Sequence, residues 1–124
     1  MEIAIGRSDM WQDIENTIND LQVTLSEYKK YQKDYAKKER EYRIALSKRL
    51  IELRAQGQAV THLADIAKGM PDIADLRFKR DIAEGLVRSA EEGINFYKLK
   101  IREMESQYNK EWGQAKFQWK DIAY

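Results

Sequence analysis

Tyrosines and basic residues alternate in the stretch YKKYQKDYAKKEREYRIALSKR, which runs from Tyr28 to Arg49. The stretch contains four tyrosines, and nine Lys or Arg against three Asp or Glu. Proteins that bind single-stranded nucleic acid combine aromatic rings, on which bases stack, with cations that contact the phosphates. The residue types of this stretch therefore raise nucleic-acid binding as a first hypothesis.

The spacing of the same tyrosines favours a different interpretation. Tyr28, Tyr35 and Tyr42 are seven residues apart, which places them on one face of a helix. They belong to an apolar repeat that marks the inward face, and Tyr31 alone lies off it. Stacking requires exposed rings, so the pattern indicates core tyrosines beside lysines on a solvated face.

Residues that could support catalysis or bind a metal ion do not cluster. The chain contains one histidine, His62, and no cysteine. The acidic pairs Glu39/Glu41, Glu91/Glu92 and Glu103/Glu105 are one or two residues apart, which places each pair on different faces of a helix. Glycines occur singly, without a phosphate-binding loop. We therefore expect no enzyme, cofactor, metal site or small-molecule substrate.

The helices that position these residues are predicted from the apolar pattern of the chain. That pattern has one clear interruption, GQAVTHLADIAKGMP, which runs from Gly57 to Pro71. A 3-4 apolar repeat typical of coiled coils precedes and follows it. The repeat before it comprises Trp11, Ile14, Ile18, Leu21, Leu25, Tyr28, Gln32, Tyr35, Glu39, Tyr42, Leu46, Leu50 and Leu53. The repeat after it comprises Ile73, Leu76, Arg80, Ala83, Val87, Ala90, Ile94, Tyr97, Ile101, Met104, Tyr108, Trp112, Ala115 and Trp119.

These repeats predict an all-α single domain formed by a long antiparallel helical hairpin. The predicted helices span 8–56 and 72–119, joined by a connector, 57–71, that contains a short helix from His62 to Lys68. Ser8 is the expected N-cap and Gly57 the expected C-terminal stop, because such residues cap helices. Pro71 suits the first turn of the second helix.

A hairpin of two helices cannot bury all the large apolar side chains of this chain, which include Trp11, Phe78, Phe96 and Phe117. Uncovered apolar surface indicates a partner, so we predict a homodimer that, most simply, pairs two hairpins into a four-helix bundle; a higher assembly of hairpins is the alternative. The residues predicted to form the core and the dimer interface are Trp11, Ile14, Ile18, Leu21, Leu25, Tyr28, Tyr35, Ile94, Ile101, Met104, Tyr108 and Trp112.

The charges are nearly balanced overall, at a formal +1, but unevenly distributed. Residues 28–49 sum to +6 and residues 77–102 to +3, and an antiparallel hairpin would bring these two blocks together. Such a belt could follow a phosphate backbone without reading bases. Its members are Lys29, Lys30, Lys33, Lys37, Lys38, Arg40, Arg43, Lys48, Arg49, Arg77, Lys79, Arg80, Arg88, Lys98 and Lys100.

Two longer stretches carry a resemblance to a known family. They are EYRIALSKRLIELRAQGQAVT and PDIADLRFKRDIAEGLVRSAEEGINFYKLKIREMESQYNKEWGQAK. The chain resembles small α-helical proteins encoded in the early regions of prophages of Gram-positive bacteria. The matching residues are Leu53, Arg54, Gly57, Val60, Thr61, Leu76 to Asp81, Ile94, Asn95, Lys98 to Arg102, and Glu111 to Gly113.

The resemblance implies a role in phage DNA metabolism or in countering host defence. The first hypothesis is a non-enzymatic protein that binds a protein partner through its helix faces and connector. That partner would belong to phage DNA metabolism or be a host defence nuclease, which the chain would inhibit as an anti-CRISPR protein does. The alternative is an accessory protein that binds nucleic acid non-specifically through the basic belt. We expect no signal peptide and no membrane span, hence a protein of the host cytoplasm.

Overall fold

The first helix, α1, runs from Arg7 to Ala55 in a computed structural model that describes residues 6–112. No glycine or proline occurs within α1, so nothing in its 49 residues breaks the backbone hydrogen bonding. Ion pairs one turn apart support its exposed side, such as Lys38 with Asp34 at 3.1 Å. The helix begins one residue earlier than predicted, so Ser8 lies in its first turn and is not the N-cap.

The end of α1 is set by Gly57, which has φ of +86°. The Gly57 amide donates to the Arg54 carbonyl and the Gln58 amide to the Leu53 carbonyl, each at 3.1 Å. This pair of hydrogen bonds is a Schellman motif, which requires a left-handed residue after the helix and so favours glycine. The C-terminal stop expected at Gly57 is therefore present.

The connector contains a 3₁₀ turn, Val60–His62, followed by a short helix, α2, Leu63–Gly69. Helix α2 starts and ends one residue later than the short helix predicted from the sequence. The last helix, α3, runs from Pro71 to Trp112. Pro71 occupies its first turn, where the missing amide hydrogen is not needed. The predicted continuation to 119 lies outside the described residues.

The chain divides into two compact units. Unit 1 comprises the described residues of segments 1–28 and 89–124, and unit 2 comprises residues 29–88. In unit 1, α1 and α3 run antiparallel: the Trp11 ring lies 5.9 Å from the Tyr108 ring, and the Tyr28 hydroxyl donates to Glu91 at 3.1 Å.

The core of unit 1 consists of two clusters of buried side chains. One is built on Met10, Ile14 and Tyr108, and the other on Leu21, Ile94 and Ile101. Leu21 and Ile101 are completely buried. Each buried leucine or isoleucine contributes about 1.5–3 kcal/mol through the hydrophobic effect, so these clusters hold the two helix segments together.

The core of unit 2 lies where the connector folds against the helices. Leu53 of α1 packs with Leu63 and Ala67 of α2, and Leu46, Leu50 and Met70 border this cluster. The α1 and α3 segments of this unit also run antiparallel, since Arg49 pairs with Asp72 while Glu39 pairs with Arg80. The fold is thus all-helical over residues 6–112, as predicted. The pairing of two chains into a four-helix bundle stays a prediction.

Candidate interaction surfaces

The residues predicted for the core and dimer interface differ in exposure. Within unit 1, five of them are buried: Ile14, Leu21, Ile94, Ile101 and Tyr108. Five more are half-buried: Ile18, Leu25, Tyr28, Met104 and Trp112. Trp11 is exposed at 38%, although its indole nitrogen donates to Glu15 at 3.0 Å. Tyr35, in unit 2, is half-buried.

The tyrosines of the 28–49 stretch do not separate into three buried rings and one exposed ring, as their spacing predicted. Tyr42 is buried, with 5% of its surface exposed. Tyr31 is half-buried, as are Tyr28 and Tyr35, so it is not the one outward ring of the four. No ring of this stretch is fully exposed for stacking on a base.

The cation of Arg80 lies over the Tyr42 ring, 4.6 Å from its centroid. Arg80 also donates to Asp81 at 2.8 Å and pairs with Glu39 at 3.4 Å. The hydrogen bond that Arg80 donates to Asp81, with the negative charges of Asp81 and Glu39, raises the pKa of Arg80. These contacts occupy the cation, so Arg80 supports the packing of unit 2 and does not offer a free charge to a ligand.

A second ion pair joins the end of α1 to the start of α3. Arg49 donates to the Asp72 carboxylate at 2.9 and 3.3 Å and to Glu52 at 3.0 Å. The Arg49 hydrogen bond holds the pKa of Asp72 below its usual value. A lowered pKa means that this contact stabilises the fold near neutral pH and is lost as the pH falls through the titration of Asp72.

The structure separates the predicted basic belt into paired and unpaired cations. Thirteen of its members lie in unit 2, while Lys98 and Lys100 lie in unit 1. Five of the thirteen form ion pairs: Lys38, Arg43, Arg49, Arg80 and Arg88. The other eight are exposed and form no ion pair with a described residue: Lys29, Lys30, Lys33, Lys37, Arg40, Lys48, Arg77 and Lys79.

An apolar row runs along the outward side of α3 in unit 2. Phe78, Ile82 and Leu86 expose 63%, 51% and 41% of their surfaces. Their spacing of four places them on one face, nearly opposite the buried Ile73. Phe78 is among the residues predicted from the sequence to need cover by a partner, whereas Ile82 and Leu86 are not. The signal was available, because both are large apolar residues that lie off the buried repeat.

A shallow apolar groove lies beside the connector. It is lined by Leu50, Ile51, Arg54, Val60, Leu63 and Ala64. Ile51 and Val60 are the most exposed large apolar residues of the described chain, at 71% and 67%. The groove is a concave surface of the connector region, where the sequence hypothesis placed part of a partner-binding surface.

Residues 6–112 contain no group of three or more His, Asp or Glu arranged to hold a metal ion. Within the same range, no helix has an apolar stretch long enough to cross a membrane. No family model, curated protein or solved structure matches the chain. The resemblance to early-region prophage proteins therefore stays a prediction from the sequence.

Proposed function

We propose that this chain is a non-enzymatic interaction protein that acts by binding a protein partner. The observation that carries the proposal is the outward row of Phe78, Ile82 and Leu86 on α3. Single exposed apolar residues are ordinary, but three large ones on consecutive turns form a continuous strip. Such strips at helical spacing are what amphipathic partner helices dock against.

The occupant we propose for the row is an amphipathic helix of the partner. The three side chains form a ridge along α3 that fits into the groove of a second helix. Charged and exposed residues border the ridge, with Asp75 and Lys79 beside it. A polar border around an apolar centre is the usual arrangement of a protein–protein interface.

The class of partner follows from the sequence resemblance. A chain that resembles early-region prophage proteins would bind a protein of phage DNA metabolism, or a host defence nuclease whose activity it would inhibit. Either partner would require a docking surface on this chain and no catalytic residues. The row on α3 supplies that surface in the proposal.

We also propose that two copies of the chain associate. Trp11 is exposed, and Trp112 is half-buried, at the end of an aromatic cluster in which Tyr108 lies within 5.9 Å of both rings. Exposed tryptophan beside buried aromatic rings is typical of the anchors that dominate interface energies. The second copy would cover this cluster and leave the row on α3 for the partner.

Photo-crosslinking tests the proposal in host cells. A benzoylphenylalanine at position 82 should capture one host or phage protein that the same group at the exposed position of Glu92 does not capture. The captured protein, once purified, should bind the wild-type chain directly. Capture of a second copy of this chain alone, or of the same proteins from both positions, would contradict a partner site on the row.

A further inference from the structure

The two units carry opposite net charges. Unit 2 has 15 Lys or Arg against nine Asp or Glu, a formal +6, whereas the full segments 1–28 and 89–124, to which unit 1 belongs, have seven against 12, a formal −5. The near-neutral total therefore conceals one strongly cationic unit. A local excess of this size attracts anionic ligands even when the whole chain is almost uncharged.

Most of the unpaired positive charge of unit 2 lies on one face of α1. At 3.6 residues per turn, the six positions fall within an arc of about 100°. They are Lys29, Lys30, Lys33, Lys37, Arg40 and Lys48. The other residues of this arc between 29 and 51 are Ile44, Ser47 and Ile51, so the arc contains no carboxylate. We call these six residues the cationic face.

The side chains of the cationic face are available to a ligand. All six are exposed, and none forms an ion pair with a described residue. The face points away from the core, since the buried Tyr42 and Leu53 lie on the opposite side of α1. At 1.5 Å per residue, it extends for about 28 Å along the helix.

We propose that the cationic face binds the phosphate backbone of double-stranded nucleic acid without reading its sequence. The face spans about 28 Å, along which a duplex presents one phosphate charge per about 1.7 Å. Lys contacts phosphate as a point charge, which supplies affinity and carries no base specificity. The ion-paired cations of the same unit, such as Arg43 and Arg88, do not take part.

The residues of the face distinguish a duplex from two other polyanions. A single strand would need exposed rings for stacking, but Tyr31 and Tyr35 are half-buried and lie off the face. A membrane surface would need a broad apolar face beside the cations. The apolar side of α1 packs within unit 2 through Tyr42 and Leu53, and the arc of the cations itself exposes just two large apolar side chains, Ile44 and Ile51, which do not make a broad face.

The salt dependence of binding tests the proposal, measured by fluorescence anisotropy with two labelled duplexes of unrelated sequence. Six phosphate contacts predict a slope of log K against log salt of about −5, or a loss of about 1,000-fold in affinity between about 50 and 200 mM. The triple variant Lys33→Gln, Lys37→Gln, Arg40→Gln should lose only about 40-fold over the same range. Both duplexes should behave alike.

The matched control is Lys38→Gln, Arg43→Gln, Arg88→Gln, which removes the same charge from ion-paired positions of the same unit. It should keep the wild-type slope, and circular dichroism should show both variants as folded as the wild type. Equal loss of slope in the two triple variants would contradict a defined face. So would no binding at about 50 mM salt, or tighter binding to vesicles of equal parts phosphatidylglycerol and phosphatidylcholine than to the duplexes.

Discussion

Glu39 and Arg80 are the two charged residues within the apolar repeats of α1 and α3, and they pair with each other at 3.4 Å. Arg80 exposes 19% of its side chain and Glu39 exposes 21%. A charge that is mostly withdrawn from water is costly unless it is paired. The pair therefore favours one antiparallel register of the helix segments in unit 2, because a shift of either segment would separate the charges.

Removal of the Arg80 side chain should destabilise the fold. Arg80→Ala leaves Glu39 without its partner on α3 and exposes the Tyr42 ring, at a cost of about 1–3 kcal/mol. Urea unfolding of the single variants and of Arg80→Ala with Glu39→Gln gives the interaction energy, which we expect to be about 0.5–3 kcal/mol. Strictly additive losses would show that the pair does not stabilise this register.

At the scale of the helices, much of the architecture could be predicted from the sequence. The apolar repeats, Gly57 and Pro71 place the ends of α1 and the start of α3 within one residue, because each rests on local backbone chemistry. The pairing of Glu39 with Arg80 could not be predicted in this way. It depends on the register between two helices, which no local pattern sets.

The surfaces were harder to predict than the helices for the same reason. Lys38 and Arg43 looked like free cations in the sequence, but both pair with carboxylates one turn earlier. Ile82 and Leu86 lie off the apolar repeat of α3, and sequence alone does not say whether such residues are covered by another element. Exposure is a property of the packed helices.

The end of α1 offers a direct test of this local chemistry. Gly57→Ala should destabilise the chain by about 1–2 kcal/mol, because a side chain disfavours the left-handed conformation. No atom beyond the two adjacent residues lies within 4 Å of the added methyl group, so the strain comes from the local backbone conformation alone. Urea unfolding measures the loss. A stability equal to that of the wild type would contradict the Schellman geometry at this position.

At the scale of the whole molecule, the proposed assembly is a homodimer. Sedimentation velocity at micromolar concentration should give a species of twice 14.7 kDa. Trp11→Ser should shift it to the monomer, because an anchor at an interface centre contributes about 2 kcal/mol or more. The control Val23→Ser changes an exposed apolar residue outside the aromatic cluster and should leave the dimer intact. A wild-type monomer under these conditions would contradict the assembly.

The protein-binding proposal depends on the outward row of α3 as a partner site. Exposed apolar residues also occur elsewhere, at Val23 and Leu99 in unit 1, with 59% and 60% exposed. These two are suited to a matched control, since their removal lowers apolar surface by a similar amount away from the row. The comparison separates a defined docking site from general stickiness of the chain.

The most direct measurement is the affinity of the purified partner for two double variants, by isothermal titration calorimetry. Phe78→Ser with Leu86→Ser should weaken binding by about 100-fold or more, because two anchors of a docking ridge are lost. Val23→Ser with Leu99→Ser should bind as the wild type does. Equal affinity of all three chains for the partner would contradict the claim that α3 carries the partner site.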